Sequence, residues 1–449
     1  LDLNTTDSNK IELFNKVSNL DLNNLNSENQ KYFLWIENIF KIPFGVYEST
    51  NLDVKKDTSK IKKHLLHSKK ILDNSVYGHK DAKNKILQII AQTITNNNSK
   101  GLVLGIQGPM GNGKTSIVER GISKIFNRPF AHISLGGATE ASFLEGFSFT
   151  WEGSSYGKIA EVLIKCKCMN PVIYFDELDK ISDTPKGEEI TNILMHLIDP
   201  SQNNFYQDRY FSGIDLDVSQ CIFVFSYNDS SKINKILRDR ITEVNTSGFK
   251  IDEKIELFNN YLLFEITKEL GIDSNFFKID NETLKYIIDT YTLEGGVRKL
   301  KEKVFDICRE INLRKLMGYK LHNKTINYPV FVNQNIVEEI LKVHHKITEE
   351  KIHLEPQVGK INGLYATEND IGGIIPIEIN FLPADKKLEM NLTGNQGKIM
   401  KESMEVAKTL AWNILPDKMR KTINRNWQHY GLHIHCPEGS ILKDGPSAG

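Results

Sequence analysis

The sequence predicts an α/β fold built on a parallel sheet with helices on both faces, followed by a helical domain and then an α+β segment. Three observations predict it. An apolar run at 101–107 enters a glycine-rich turn and then a helical pattern from Ser116. Short continuous apolar runs recur at 130–135, 171–175 and 221–227, with a further extended segment at 244–249, all separated by helical periodicity; runs of this kind are strands buried on both faces of a parallel sheet. Residues 251–345 keep helical spacing throughout, whereas beyond Gln357 the alternation of Ile375, Ile377, Ile379 and Phe381 returns to strand period.

At 449 residues the chain is too long for one core, and about three domains are expected. Lys+Arg and Asp+Glu balance at 57 each, which gives no global field to attract nucleic acid or a membrane surface. The five cysteines (166, 168, 221, 308 and 436) are scattered, and Cys166-x-Cys168 lacks both the gap and the second pair of a zinc site. Reduced thiols place the protein in a reducing compartment, cytoplasmic or an organelle matrix such as the mitochondrial. Leu at residue 1 and Gly-Pro-Ser-Ala-Gly at the end lead us to expect a longer parent chain.

In chain order, residues 1–44 are rich in Asn, Asp and Ser, become amphipathic near Tyr32 and Phe40, and turn at Pro43-Phe44-Gly45. They read as the end of a helical N-terminal region. Residues 55–74 carry leucines and isoleucines at helical spacing among many lysines, as an exposed connecting helix would. Val76-Tyr77-Gly78-His79 precedes a helix bearing Ile86, Ile89 and Ile90. Next comes Gly108-Pro109-Met110-Gly111-Asn112-Gly113-Lys114-Thr115, which fits the phosphate-cradling loop at every fixed position. Its glycines let backbone N–H groups turn inward, Lys114 reaches the β- and γ-phosphates, and the Thr115 hydroxyl holds Mg²⁺. A nucleoside triphosphate is the ligand expected.

The strand 172–176 ends in Asp176-Glu177, placing Asp176 near Mg²⁺ and Glu177 where it can deprotonate an attacking water. Ile190, Ile193, Leu194, Leu197 and Ile198 form one helical stripe. Asn228 ends the next strand, where its amide can hold the same water. Arg240, in Arg238-Asp239-Arg240, is either a surface cation or a group serving a neighbouring subunit. Arg298, after Gly295-Gly296-Val297, either reaches the phosphates or is a helix-start cation. Residues 346–357 read as a linker. Beyond them come strands at 375–381 and 388–393, a helix carrying Ile399, Met400, Val406 and Leu410, and His433-Ile434-His435, taken as strand histidines in preference to metal ligands.

Several of these stretches together resemble the Lon family of ATP-dependent proteases, in which an AAA+ ATPase is fused to a serine protease. The resemblance rests on residues 108–115, Tyr-Phe-Asp-Glu-Leu-Asp-Lys (174–180), Leu-Ile-Asp-Pro-Ser-Gln-Asn (197–203) and Gly-Gly-Val-Arg (295–298). It continues through Leu-Thr-Gly-Asn-Gln-Gly (392–397), Met-Lys-Glu-Ser (400–403), His-Ile-His-Cys-Pro-Glu-Gly (433–439) and Lys-Asp-Gly-Pro-Ser-Ala-Gly (443–449). It implies a helical N-terminal end at 1–70, an AAA+ parallel sheet at 71–250, a helical lid at 251–345 and an incomplete α+β protease domain at 346–449.

By the same resemblance Tyr77 contacts adenine, Asn228 is the polar sensor, Arg240 acts in trans and Arg298 is the second sensor. Two departures stand out: one inserted residue after Arg240, and Glu152 where the family has an apolar residue. Trp151 matches the pore-loop aromatic that grips polypeptide. Ser447 matches the protease nucleophile, activated by a lysine expected beyond Gly449, so the 449 residues alone are expected to lack peptidase activity. The implied cofactors are ATP and Mg²⁺. The implied partners are unfolded or tagged protein substrates and other copies in a homo-oligomeric ring, a hexamer; the alternative is a non-proteolytic remodelling ATPase or chaperone.

Overall fold

Five short strands explain where the chemistry collects. In the computed structural model they are β1 (Val103–Gln107), β2 (Phe130–Ser134), β3 (Val172–Asp176), β4 (Ile222–Tyr227) and β5 (Thr242–Asn245), in the order β2-β3-β4-β1-β5. Every neighbouring pair is parallel, so all five C-terminal ends share one edge of the sheet. The structure describes residues 3–18, 27–48, 58–96, 101–151, 153–321, 324–344, 346, 355–366, 372–394 and 396–436. They fall into two compact units, 1–260 with 295–298, and 261–294 with 299–449.

In the first unit, side-chain alternation along the central strands sorts their residues to two faces. Ile173, Phe175, Phe223 and Phe225 enter one apolar cluster, while Val172, Tyr174, Ile222 and Val224 enter the other. All six residues of β4 are buried, as a strand with neighbours on both sides and helices on both faces requires. Phe175 stacks on Phe225 with ring centroids 5.1 Å apart. Burial of each such side chain contributes about 1.5–3 kcal/mol.

The helices at the start of the chain belong to this unit. In α1 (Asp7–Ser18) and α2 (Ser27–Ile39), Leu13, Trp35 and Ile39 are fully buried in the cluster that holds Phe223 and Phe225. Asn9 and Asp215 exchange two hydrogen bonds of 2.9 Å, and the Trp35 indole donates to the Tyr210 carbonyl at 2.7 Å. The helix expected to be an exposed connector, α3 (Thr58–Ser75), buries Ser68, Leu72 and Ser75. With α4 (Lys80–Thr95) it covers the second face through Leu72, Ile86, Ile90 and Ile94. The helix after the phosphate loop is α-helical at Lys114–Ser116, π-helical at Ile117–Ile122 and α-helical again at Ser123–Phe126.

In the second unit, residues 261–294 and 299–344 are mainly helical, but the expectation of helix alone is corrected. Phe277–Ile279 pairs in parallel with Val330–Val332, where apolar residues at both ends of each strand meet across the pair. Helix Arg298–Leu316 buries Leu300, Val304, Ile307 and Ile311 at helical spacing. Further along, Lys360–Ala366, Gly372–Pro383, Tyr430–His435 and Met390–Thr393 form a four-stranded sheet in that order, antiparallel except for its last pair. Helices Lys398–Ile414 and Asp417–Asn426 complete this α+β part, with Ile375, Ile377, Met400, Met404 and Ile434 as its small core. Ser447 and Lys443 lie outside the described residues. Among the described residues, no helix is long and apolar enough to cross a membrane.

Candidate nucleotide-binding site

The glycine turn at the end of β1 is held open by its conformation and by its neighbours. Gly111 and Gly113 have φ of +74° and +90°, a region that residues with a Cβ avoid. A Cβ on Gly111 would lie 3.0 Å from the Arg298 backbone nitrogen, and one on Gly113 would lie 2.6 Å from the Val76 side chain. The loop is thus clasped between 76–79 and 295–298. Val297 N–H donates to the Gly111 carbonyl at 3.1 Å, and Phe249 N–H donates to Gly295 at 2.8 Å.

Lys114 donates from Nζ to the carbonyls of Gly108 (2.6 Å) and Pro109 (3.0 Å) and to Asn228 Oδ1 (2.8 Å). Burial lowers its pKa to about 8, against the opposing pull of Asp176 and Asp179. Lys114 and Asn228, from separate strand ends, therefore meet directly. The Tyr174 hydroxyl, which burial pushes up to about 12, donates to Asp176 Oδ1 at 3.2 Å and lies 3.2 Å from Thr115 Oγ1. Its single proton goes to Asp176, so Thr115 donates to it. Ser226 also donates to Asp176 Oδ1, and His132 Nε2 stands 3.6 Å from Oδ2. The two expected Mg²⁺ ligands are linked through one tyrosine.

Glu177 has φ 61° and ψ 47°, a left-handed conformation that costs a residue with a Cβ about 1–2 kcal/mol. Its N–H donates to Asp176 Oδ1 at 3.1 Å, and its carboxylate lies over Gly136, where a Cβ would fall 2.1 Å from Oε2. Strain of this kind collects at functional positions.

Sequence reasoning missed Asp179. Only 6% exposed, it accepts the N–H groups of Asn228 and Asp229 at 3.3 Å each through Oδ2, and its Oδ1 is buried with no hydrogen-bond partner. The signal was the second aspartate of Asp-Glu-Leu-Asp, but its partners follow another strand.

On the other side of the loop, the Tyr77 hydroxyl donates to Glu256 at 2.6 Å and its ring centroid is 6.4 Å from that of Phe249. His79 (φ 51°) donates from Nε2 to the Asn112 carbonyl at 2.8 Å and packs on Phe249 at 4.9 Å. Burial lowers the His79 pKa below the ordinary imidazole value. Asn112 itself donates to Thr246 Oγ1 at 2.7 Å. His79, Phe249 and Thr246 went unread because each acts through its fold neighbours.

Arg298 lies beside Gly111 with its side chain exposed. Arg240 is ion-paired with Asp199 at 2.8 Å and donates to the Met195 carbonyl at 3.4 Å, while Arg238 pairs with Glu243 at 2.7 Å. Trp151 is 71% exposed, on a loop whose neck is closed by the Phe147 N–H to Ser155 carbonyl bond of 3.1 Å.

Three family models match consecutive stretches: the ATPase family associated with various cellular activities at 104–248, the Lon protease AAA+ ATPase lid domain at 268–324, and the Lon protease (S16) C-terminal proteolytic domain at 331–449. A Lon protease homolog of Acanthamoeba polyphaga mimivirus is 34% identical over 94% of this chain and 46% of its own length. The Lon protease of Clostridioides difficile is 33% identical over 98% of this chain and 52% of its own. A peroxisomal Lon protease homolog 2 of Caenorhabditis briggsae is 30% identical, over 95% and 54%. The chain spans about half the length of the curated relatives it matches. With an ATPase, a lid and a proteolytic segment matched in that order, and with these relatives, the chain belongs to the Lon protease family.

Proposed function

We infer that this chain binds and hydrolyses ATP at the glycine turn and uses the energy to unfold and thread polypeptide, as the motor of an ATP-dependent serine protease. The observation that carries this reading is the meeting of Lys114, Thr115, Asp176 and Asn228 through direct or tyrosine-bridged hydrogen bonds at one sheet edge, with Glu177 adjoining.

The residues fit the ligands. A turn that would exclude a Cβ at Gly111 and Gly113 leaves backbone N–H groups room to face phosphate oxygens. A hydroxyl and a carboxylate, Thr115 and Asp176, are the hard oxygen donors that Mg²⁺ takes, and the ion supplies neutralisation of phosphate charge. Lys114 adds a cation, Asn228 orients the attacking water, and Glu177 removes its proton. Tyr77 and His79 border the adenine side. Arg298 acts from the lid segment, and Arg240 reaches a neighbouring copy in a homo-oligomeric ring of six. Trp151 grips unfolded or tagged protein substrates through a broad ring indifferent to their sequence. Ser447 is the nucleophile in this reading, activated by a neutral lysine amine.

Glu177→Gln should keep ATP binding, measured by fluorescent-nucleotide titration, while turnover falls about 10²-fold or more. Undiminished hydrolysis in that variant would remove Glu177 from its role and the reading with it.

A further inference from the structure

We propose that helices α1 and α2 are the platform that holds the Trp151 loop, and that Phe149 is the positioning residue through which they set how Trp151 is presented. The inference rests on the gripping role given to Trp151 above.

The loop leaves the body of its unit at a narrow neck, where Phe147 N–H meets the Ser155 carbonyl. Below the neck it is anchored firmly: Gly157 N–H donates to Asp208 at 2.8 Å, and Tyr156 stacks on Phe211 at 5.7 Å. Above it, the contacts among the described residues that reach beyond the loop come from far away in the sequence. The Phe149 ring lies 5.4 Å from Tyr32 and 6.4 Å from Trp35, both on α2. Lys16 of α1 places Nζ 4.5 Å from the ring centroids of both Trp35 and Phe149, a cation between two π faces. Lys31 of α2 donates to the Thr150 carbonyl at 3.0 Å, on the residue next to Trp151.

The platform side is rigid. Trp35 is fully buried, is hydrogen-bonded to Tyr210 and meets Phe211 edge-on at 5.9 Å. The loop is therefore tied to α1 and α2 through the Phe149 ring and the Lys31–Thr150 hydrogen bond, with the exposed Trp151 two residues beyond Phe149. A side chain that must bear a pulling load from an otherwise open loop needs such a strut. The same strut makes the loop answer to movement of α1 and α2.

The test uses the purified protein with unfolded casein as probe, comparing wild type, Phe149→Ala, Phe149→Tyr and Trp151→Ala. Two quantities are read: casein stimulation of the ATPase over its basal rate, and hydrogen exchange of the loop amides. Phe149→Ala should leave basal hydrolysis unchanged, lose about tenfold of the stimulation and speed loop exchange by about tenfold, with phosphate-loop amides unaffected. Phe149→Tyr, which keeps the ring, should restore both. Loop exchange unchanged in Phe149→Ala, or stimulation retained there but lost in Trp151→Ala, would overturn the platform alone. Stimulation retained in Trp151→Ala, or absent in wild type, would overturn the gripping role and the inference resting on it.

Discussion

Asp179 is almost wholly buried, and the backbone N–H groups of Asn228 and Asp229 both end on it. The Asn228 amide in turn receives Lys114. Removing the Asp179 carboxylate frees the segment that aims Asn228 while leaving the phosphate cradle intact. Asp179→Ala should therefore lower the kcat of ATP hydrolysis about tenfold, with ATP affinity held within about twofold. Combined with Asn228→Ala it should add nothing further, since both changes disable one device; multiplicative losses in steady-state assays would show that Asp179 acts elsewhere. The contrast explains what was legible at this scale. Gly111, Gly113 and Lys114 announce themselves because a phosphate imposes a backbone requirement at each position in one unbroken stretch. Tyr174, Ser226 and Asp179 do not, because their partners are set by the pairing of β3 with β4 and by the turn that follows.

Elements were legible where their period repeated and obscure where their partner was distant. Four of the sheet strands were readable from continuous apolar runs and the strand near 375–381 from alternation, whereas the fifth, expected near 244–249, lies at Thr242–Asn245, where polar residues break the run. The pair Phe277–Ile279 and Val330–Val332 is too short to interrupt helical spacing, and nothing local in α1 and α2 tells that Leu13 and Trp35 pack with Phe211. The segment at 208–211 that receives α2 also carries a pH-sensitive group. Burial pushes the Asp208 carboxyl to about 7, although the N–H groups of Gly157 and Tyr210 favour its charged form. A folded pKa above the unfolded value means its contribution is fully present below about pH 4 and is lost as pH rises through 7. Wild type should thus lose roughly 2–3 kcal/mol more than Asp208→Asn between pH 5 and pH 8, measured by urea unfolding. Parallel curves for the two proteins would show that the carboxyl is ionised without penalty in the folded state.

For the molecule as a whole, the open question is where Arg240 acts. Within its own chain it is held by Asp199 and the Met195 carbonyl, and its sequence neighbour Arg238 is committed to Glu243, so neither arginine contributes to the Lys114–Asn228 meeting point. Yet Arg240 keeps 41% of its side chain exposed, and an exposed single pair contributes about 0–1 kcal/mol, little enough for a phosphate to compete with Asp199. If copies close head to tail into a ring, each site combines the glycine turn of one with Arg240 of the next. Lys114→Ala and Arg240→Ala subunits, each inactive alone, should then complement when coexpressed. An Arg240→Ala subunit supplies an intact turn, and an adjacent Lys114→Ala subunit supplies the arginine. Random assembly leaves about a quarter of the sites fully equipped, so the mixed preparation should recover about that fraction of wild-type ATPase activity. A mixture no more active than its two parents would show that Arg240 does not complete a neighbouring copy's site.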